Sequence, residues 1–192
     1  PWTNIDFYRD LQLTSWADKK HHRLELKVLK TASKVVTVTW RSRDEFKALC
    51  GRNDIEVIPN GFDDADFPVD MRGPLDEEFT IVHIGSMNKD RNPEVFWKAT
   101  HKALAESPDL KLKLKIRLVG PVDFSVRSSV EQFELQGYTE FVEFIPHDEA
   151  VKLQQQAQIN LLVINNSPNA RTIIPGKLYE YIAARVPVLV FG

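Results

Sequence analysis

Two short stretches of this 192-residue chain carry the residue types that binding a phosphorylated ligand needs. The first reads Gly85-Ser86-Met87-Asn88-Lys89-Asp90-Arg91-Asn92-Pro93. A glycine at the end of an apolar run lets a ligand approach the backbone. The Asn-Pro pair that follows reads as a helix start, with free N–H groups and a positive dipole end. Lys89 and Arg91 stand beside it and can add charge-assisted hydrogen bonds to a phosphate. The second stretch reads Arg171-Thr172-Ile173-Ile174-Pro175-Gly176-Lys177-Leu178-Tyr179-Glu180-Tyr181. Lys177 falls in the first turn of a helix, where it opposes the macrodipole and invites an anionic partner. Glu180 lies one turn on, on the same face. A carboxylate there can accept hydrogen bonds from vicinal hydroxyls such as those of a ribose. Taken singly, the first stretch is also compatible with a solvated polar turn and the second with a plain Lys–Glu helix pair. Neither a Walker lysine loop nor a Gly-rich dinucleotide fingerprint is present.

Other chemistries find less support. The histidines at 21, 22, 83, 101 and 147 are scattered over helices, a strand and a loop, and Cys50 is the single cysteine, so no zinc set is expected. No Gly-x-Ser-x-Gly elbow occurs. A net charge of −2 gives no basic excess for nucleic acid. The alternation of Leu110, Leu112 and Leu114 with Lys111, Lys113 and Lys115 reads as a solvated strand face or edge protection.

The elements that must position these residues follow from periodicity. An amphipathic helix is expected over 14–33, a β-branched strand over 35–39, a short helix from Ser42 closed by Gly51, and a strand over 55–58 ending at Pro59-Asn60-Gly61. Residues 62–78 carry acids, Pro and Gly without a period and read as a linker. A regular alternation then begins. Strands are expected at 79–84, 115–119, 141–145, 159–164 and 187–191. Helices are expected from Asn92 (as cap) and Pro93 to about 107, over 125–136, from 147 or 148 to about 157, and over 177–185. Five strands alternating with four helices predict an α/β, Rossmann-like parallel sheet with helices on both faces. Ligands of such sheets bind beyond the C-terminal strand ends, which selects the loops 85–92, 120–125, 145–148 and 165–176. Both ends of the chain read as cut.

Together the segments resemble group 1 retaining glycosyltransferases, which have the two-Rossmann-domain GT-B architecture. Val36-Thr37-Val38-Thr39 with Ile58-Pro59-Asn60-Gly61-Phe62-Asp63 is similar to the segment joining their two domains. Ile81-Val82-His83-Ile84-Gly85 resembles the first strand and glycine of their donor domain, and Leu118-Val119-Gly120-Pro121 the second strand. Val142-Glu143-Phe144 and Pro146-His147-Asp148-Glu149 resemble the strand and loop near the base. Gly176-Lys177-Leu178-Tyr179-Glu180-Tyr181-Ile182-Ala183-Ala184, followed by Pro187-Val188-Leu189, is the most specific match. The opening Pro1-Trp2-Thr3 also resembles the tail of an Arg-Asp-Pro-Trp segment of some relatives.

The resemblance implies that residues 1–67 are the remnant of an N-terminal acceptor domain plus linker, a truncated second α/β domain. Residues 68–192 are then the donor-binding half of a GT-B fold. It places Arg91 and Lys177 on the leaving diphosphate, Glu180 on the ribose, and Gly85, Ser86, Gly120, Ile145, His147, Thr172, Ile174 and Gly176 around the donor. Ser86 stands where the family has the first of its basic pair, and Thr172 where it often has a first glutamate. Both are departures that bear on donor identity and stereochemistry, with Lys177 the candidate to compensate. The implied function is glycosyl transfer from a nucleoside-diphosphate sugar to a glycan or lipid-linked acceptor held by the other domain, with no metal and no other cofactor. The setting is cytoplasmic, at the inner membrane face if the whole protein associates peripherally. The fragment alone is expected to be inactive, and its unfinished edge to be able to recruit a second copy. A non-catalytic nucleotide-binding scaffold and a GT-B-like sugar-nucleotide epimerase are the alternatives.

Overall fold

The computed structural model describes residues 3–5, 8–67, 73–165, 167, 170 and 173–192. They pack as two compact units, Pro1–Asn60 with Ser167–Pro175 and Gly61–Asn166 with Gly176–Gly192.

The first unit holds α1 (Ser15–Thr31), β1 (Val35–Thr37), α2 (Trp40–Cys50) and β2 (Ile55–Val57). Thr14 caps α1, its side chain accepting the Ala17 N–H. Thr39 does the same for α2 through Ser42 N–H, which is why β1 stops at Thr37 rather than running to 39. Gly51 closes α2 at φ +75°, the left-handed conformation that suits glycine. The two strands pair in parallel. Leu29, Val35, Phe46, Cys50 and Ile55 form the small core between them and the helices. The expected Pro1-Trp2 match lies outside the described residues, as do 68–72 of the linker.

The second unit is a five-stranded parallel sheet in the order β5-β4-β3-β6-β7, with β3 (Phe79–Ile84), β4 (Leu114–Val119), β5 (Thr139–Val142), β6 (Ile159–Val163) and β7 (Val188–Phe191). The chain starts at the central strand, steps outward to β5, then returns to the other side of β3. The order therefore reverses between β3 and β6, which opens a crevice at their C-terminal ends. The connecting helices are α3 (Glu94–Glu106), α4 (Pro108–Lys113), α5 (Phe124–Gln132), α6 (His147–Gln156) and α7 (Gly176–Ala183). One core, with Trp97, Ile116, Leu118, Val126, Leu135 and Leu161 at its centre, lies against the sheet.

Three expectations need correction. The Leu–Lys alternation over 110–113 is helical: Ser107 caps Pro108–Lys113 and the strand starts only at Leu114. Pro at the first helical position and a serine cap outweigh a four-residue alternation. A fifth helix is thereby added to the four expected. Asn92 does not cap α3. Its amide donates to Ser125 O and Ser129 Oγ and accepts from Trp97 Nε1, so it ties α3 to α5. Finally, β5 lies at Thr139–Val142, and Phe144 and Ile145 stand in the loop beyond it. Among the described residues no helix is long and apolar enough to cross a membrane.

Candidate functional site: a cleft at the strand ends

The first strand of the sheet ends in Gly85, and its neighbour β4 ends in Gly120. Both take positive φ, +110° and +111°. Their backbones lie against each other: a Cβ on Gly120 would come within 3.1 Å of the Gly85 carbonyl carbon. Gly85 N–H donates to Val119 O at 2.6 Å and Met87 N–H to Pro121 O at 2.9 Å, so the two loops leave the sheet stapled together. The positive φ favours glycine at both positions, and at Gly120 the Gly85 backbone also crowds a side chain.

A cleft of about 390 Å³ opens above these strand ends. Gly85, Ser86, Gly120, Ile145 and His147, all expected at the donor site, line it together with Phe144 and Ala150. Its walls are mostly apolar. His147 is the first residue of α6, and its Nε2–H donates to the Asp66 carboxylate at 2.9 Å. That hydrogen bond raises its pKa above the ordinary value, further helped by the charges of Asp66, Glu180 and Asp148. Asp66 ends a 3-10 turn capped by Asp63, and the next residue, Phe67, is buried with Val151 and Ala184.

The cations stand beside the glycine. Arg91 ends a 3-10 turn, Lys89–Arg91, that the Asn88 side chain caps through Arg91 N–H. Its Nε donates to Asn165 Oδ1 at 2.6 Å, and one terminal nitrogen to Ser86 O at 3.4 Å. Asn165 is buried two residues past the end of β6, so the guanidinium is braced from the far side of the strand reversal. Lys89, the other expected cation, is exposed. Lys177, in the first turn of α7, sends its side chain to Gly85: a Cβ there would collide with its ammonium and meet its Cε at 2.8 Å. Among the described residues no hydrogen bond or ion pair closes on that ammonium. Burial pushes its pKa down to about 8, the Arg91 charge pushes the same way, and Glu180 opposes. The plain Lys177–Glu180 helix pair with which the segment alone is also compatible is not formed among the described residues. Glu180 instead accepts from Gln154 Nε2 at 3.4 Å.

Below the cations lies a buried floor. His83 is 1% exposed, and its Nδ1 lies 2.9 Å from Leu161 O. A carbonyl only accepts, so Nδ1 carries the proton. Burial first, then the charges of Lys177 and Arg91, hold its pKa down at about 4, so the ring is neutral near pH 7. Tyr181, fully buried on α7, accepts the Ile84 N–H at 3.1 Å through its hydroxyl. Burial raises its pKa.

Gly176 opens α7 with nothing within 4 Å of where a Cβ would stand, so packing does not demand glycine there. Ile174 belongs to the segment that groups with the first unit, and Thr172 and Arg171 lie outside the described residues. Asp66, Asn165, Gln154 and Tyr181 were not foreseen from the sequence. Only Tyr181 had a signal, an aromatic one residue past Glu180. The others act across 26 to 81 residues of sequence separation. Among the described residues no cluster of three or more His, Cys, Asp or Glu is placed to hold a metal ion.

No family profile and no curated protein matches this chain. Solved structures do. The sucrose-phosphate synthase of Thermosynechococcus elongatus superposes with a TM-score of 0.66 at 17% identity, over 97% of this chain and 48% of that one. WaaG, a glycosyltransferase involved in lipopolysaccharide biosynthesis, gives 0.66 at 17% identity, over 94% and 50%. The pneumococcal O-GlcNAc transferase GtfA, solved with UDP and GlcNAc, gives 0.60 at 16%, over 86% and 32%. The chain thus has the GT-B glycosyltransferase fold over the part it covers, and it spans half or less of the length of these structures.

Proposed function

We propose that this chain is the donor-binding half of a glycosyltransferase that transfers a sugar from a nucleoside-diphosphate sugar. The observation that carries the reading is Lys177, a largely buried ammonium with no hydrogen bond or ion pair among the described residues, seated against Gly85 and beside Arg91. A partly desolvated ammonium with a second cation beside it is stabilised when an anion joins them. A diphosphate supplies that anion, and the apolar cleft next to it accommodates a base.

In this reading the base lies along Ile145 and His147, the ribose on Glu180, and the diphosphate between Arg91, Lys177 and the first turn of α7. As the glycosidic bond to the leaving diphosphate breaks, negative charge grows on its oxygens. Preorganised cations aimed at that charge stabilise the transition state more than the ground state. They do so without a divalent ion, so chelators should leave donor binding unchanged. The GtfA complex with UDP and the GT-B fold support the donor class, and the acceptor is assigned to a companion domain of which residues 1–60 form part.

The test is calorimetry of the chain with UDP-, GDP- and ADP-sugars, alongside product analysis with candidate acceptors. Binding without turnover is the expected result, because positioning the second reactant supplies about 7–11 kcal/mol of barrier reduction that a donor half forfeits. Glu180→Ala should weaken binding roughly 10- to 150-fold with an unchanged melting curve, the loss of one hydrogen-bond acceptor bearing charge. A well-folded chain that binds none of these ligands overturns the reading in favour of a scaffold. Isomerisation of the sugar without acceptor would assign it to epimerases instead.

A further inference from the structure

We infer that Gln154 positions Glu180, so that a buried amide of α6 sets how the cleft recognises the donor's ribose hydroxyls and keeps Lys177 free for the diphosphate. The inference rests on the donor reading above.

Gln154 is 1% exposed, and among the described residues its side chain reaches one partner, Glu180 Oε2 at 3.4 Å. Among the described residues this is the hydrogen bond that Glu180 receives. A carboxylate only accepts, so the amide must turn its NH2 toward Glu180. That orientation leaves Gln154 Oε1 buried without a partner. The neighbouring Asn160, fully buried on β6, does not relieve it: its Nδ2 donates to the Gln154 main-chain carbonyl instead. An unsatisfied buried acceptor costs stability, whereas a methionine of similar volume at 154 would leave none. What the amide supplies in return is one donor aimed at the Glu180 carboxylate of α7.

The geometry gives that donor two consequences. With Oε2 held by Gln154, Oε1 remains for a ligand hydroxyl. Lys177 stands one helical turn before Glu180, where the two side chains are within reach of an ion pair. No such pair is formed, and the carboxylate is drawn toward α6. Released from Gln154, Glu180 would be free to collapse onto Lys177. The collapse would cancel the cation that the diphosphate needs and occupy the oxygen that the ribose needs.

The experiment compares the parent chain with Gln154→Met and Gln154→Leu by calorimetry. The probes are UDP, ADP and GDP, each against its 2′,3′-dideoxy form, over a pH series. The parent should prefer the ribonucleotide. In both variants that preference should shrink roughly 5- to 10-fold, as for a loosened hydrogen bond to a charged group. The pH at which diphosphate affinity falls should move upward, because a Lys177 paired with Glu180 holds its proton longer. Thermal melting should be unchanged or raised. An unchanged ribose preference in the folded variants overturns the inference and leaves the donor reading standing, as does unfolding of both variants. A parent that binds no nucleotide, or binds the dideoxy forms equally well, overturns the Glu180 assignment and this inference with it.

Discussion

The Lys177 ammonium occupies the volume that a Cβ on Gly85 would need. One position thus serves two demands. The strand must turn at positive φ to let the loop approach Gly120, and the lysine of α7 must reach over the strand end.

Replacing Gly85 with Ala should therefore do two things at once. The positive φ strains an L side chain, and the new methyl displaces Lys177. The strain alone costs about 1–3 kcal/mol, or about 2–4 °C in Tm for each kcal/mol in a chain of this size. Diphosphate affinity should fall in the same variant even where it is folded. Gly120→Ala, whose methyl meets the Gly85 backbone rather than a flexible side chain, should destabilise at least as much. Thermal melts and calorimetry of both variants check this; a Gly85→Ala protein with parental diphosphate affinity would show that Lys177 does not act from where it sits.

Lys177 also makes a signed prediction about pH. Its folded pKa, about 8, lies below the ordinary lysine value of 10.5, so the folded state binds the proton less well than the unfolded one. Below pH 8 the free protein carries a penalty for that charge, and stability rises as pH climbs from about 8 toward 10.5. Lys177→Met should therefore be more stable than the parent at pH 7, by something on the order of 1–3 kcal/mol. Its advantage should fade at high pH. Diphosphate binding should run the other way, falling as pH passes about 8 in the parent and being weak at every pH in Lys177→Met. Denaturant melts at pH 7 and 10 measure the first effect, and titrations with UDP, ADP and GDP the second.

Arg91 is held in place by Asn165, so Asn165→Ala should weaken a nucleoside diphosphate without touching the bare nucleoside. A loss of roughly 3- to 10-fold is expected for a misplaced charged hydrogen-bond donor. Arg91→Ala should show the same selectivity more strongly, and salt should shrink the difference by screening. Equal losses for nucleoside and diphosphate would move Arg91 to another part of the ligand.

His147 should titrate above the ordinary histidine range, because the Asp66 carboxylate accepts its Nε2–H. A raised folded pKa contributes stability that is present below about pH 6.5 and lost as pH rises through the folded value. Asp66→Asn should lower the His147 midpoint in an NMR titration, and should destabilise the protein more at pH 6 than at pH 8. A midpoint that stays put would leave the contact without electrostatic weight.

Much of the architecture was legible because its signals are local. Gly51, Gly85 and Gly120 mark element ends, Thr14 caps a helix, and the apolar runs at 79–84 and 159–163 are strands buried on both faces. The five-stranded α/β sheet and the loops 85–92, 120–125 and 145–148 follow from that grammar, since loops at the C-terminal strand ends must converge; the family resemblance singled out Gly85, Ser86, Gly120, Ile145 and His147 within them. The errors arose where a local pattern had two readings. Leu110–Lys113 alternates like a strand, but Ser107-Pro108 starts a helix there. Asn92 looks like a cap, yet its amide is taken by Trp97 and Ser129. What the sequence could not display were the partners of the charged groups. Nothing near Glu180 in the chain points to Gln154, nothing near His147 points to Asp66, and the reach of Asn165 to Arg91 depends on the strand order.

The pairing of β3 with β6 extends over Ile81 and Val82 only, while β3 stays paired with β4 to its last residue. Where the ladder lapses, two side chains finish it, His83 toward Leu161 O and Tyr181 from Ile84 N–H. Tyr181 rides on the same helix as Lys177 and Glu180. A ligand that pulls on α7 therefore pulls on the main chain of the central strand as well, and the Ile84 amide becomes a gauge of it. Its exchange with solvent deuterium should slow when the cleft fills and quicken in Tyr181→Phe, which turns a seam in the sheet into a reporter of occupancy.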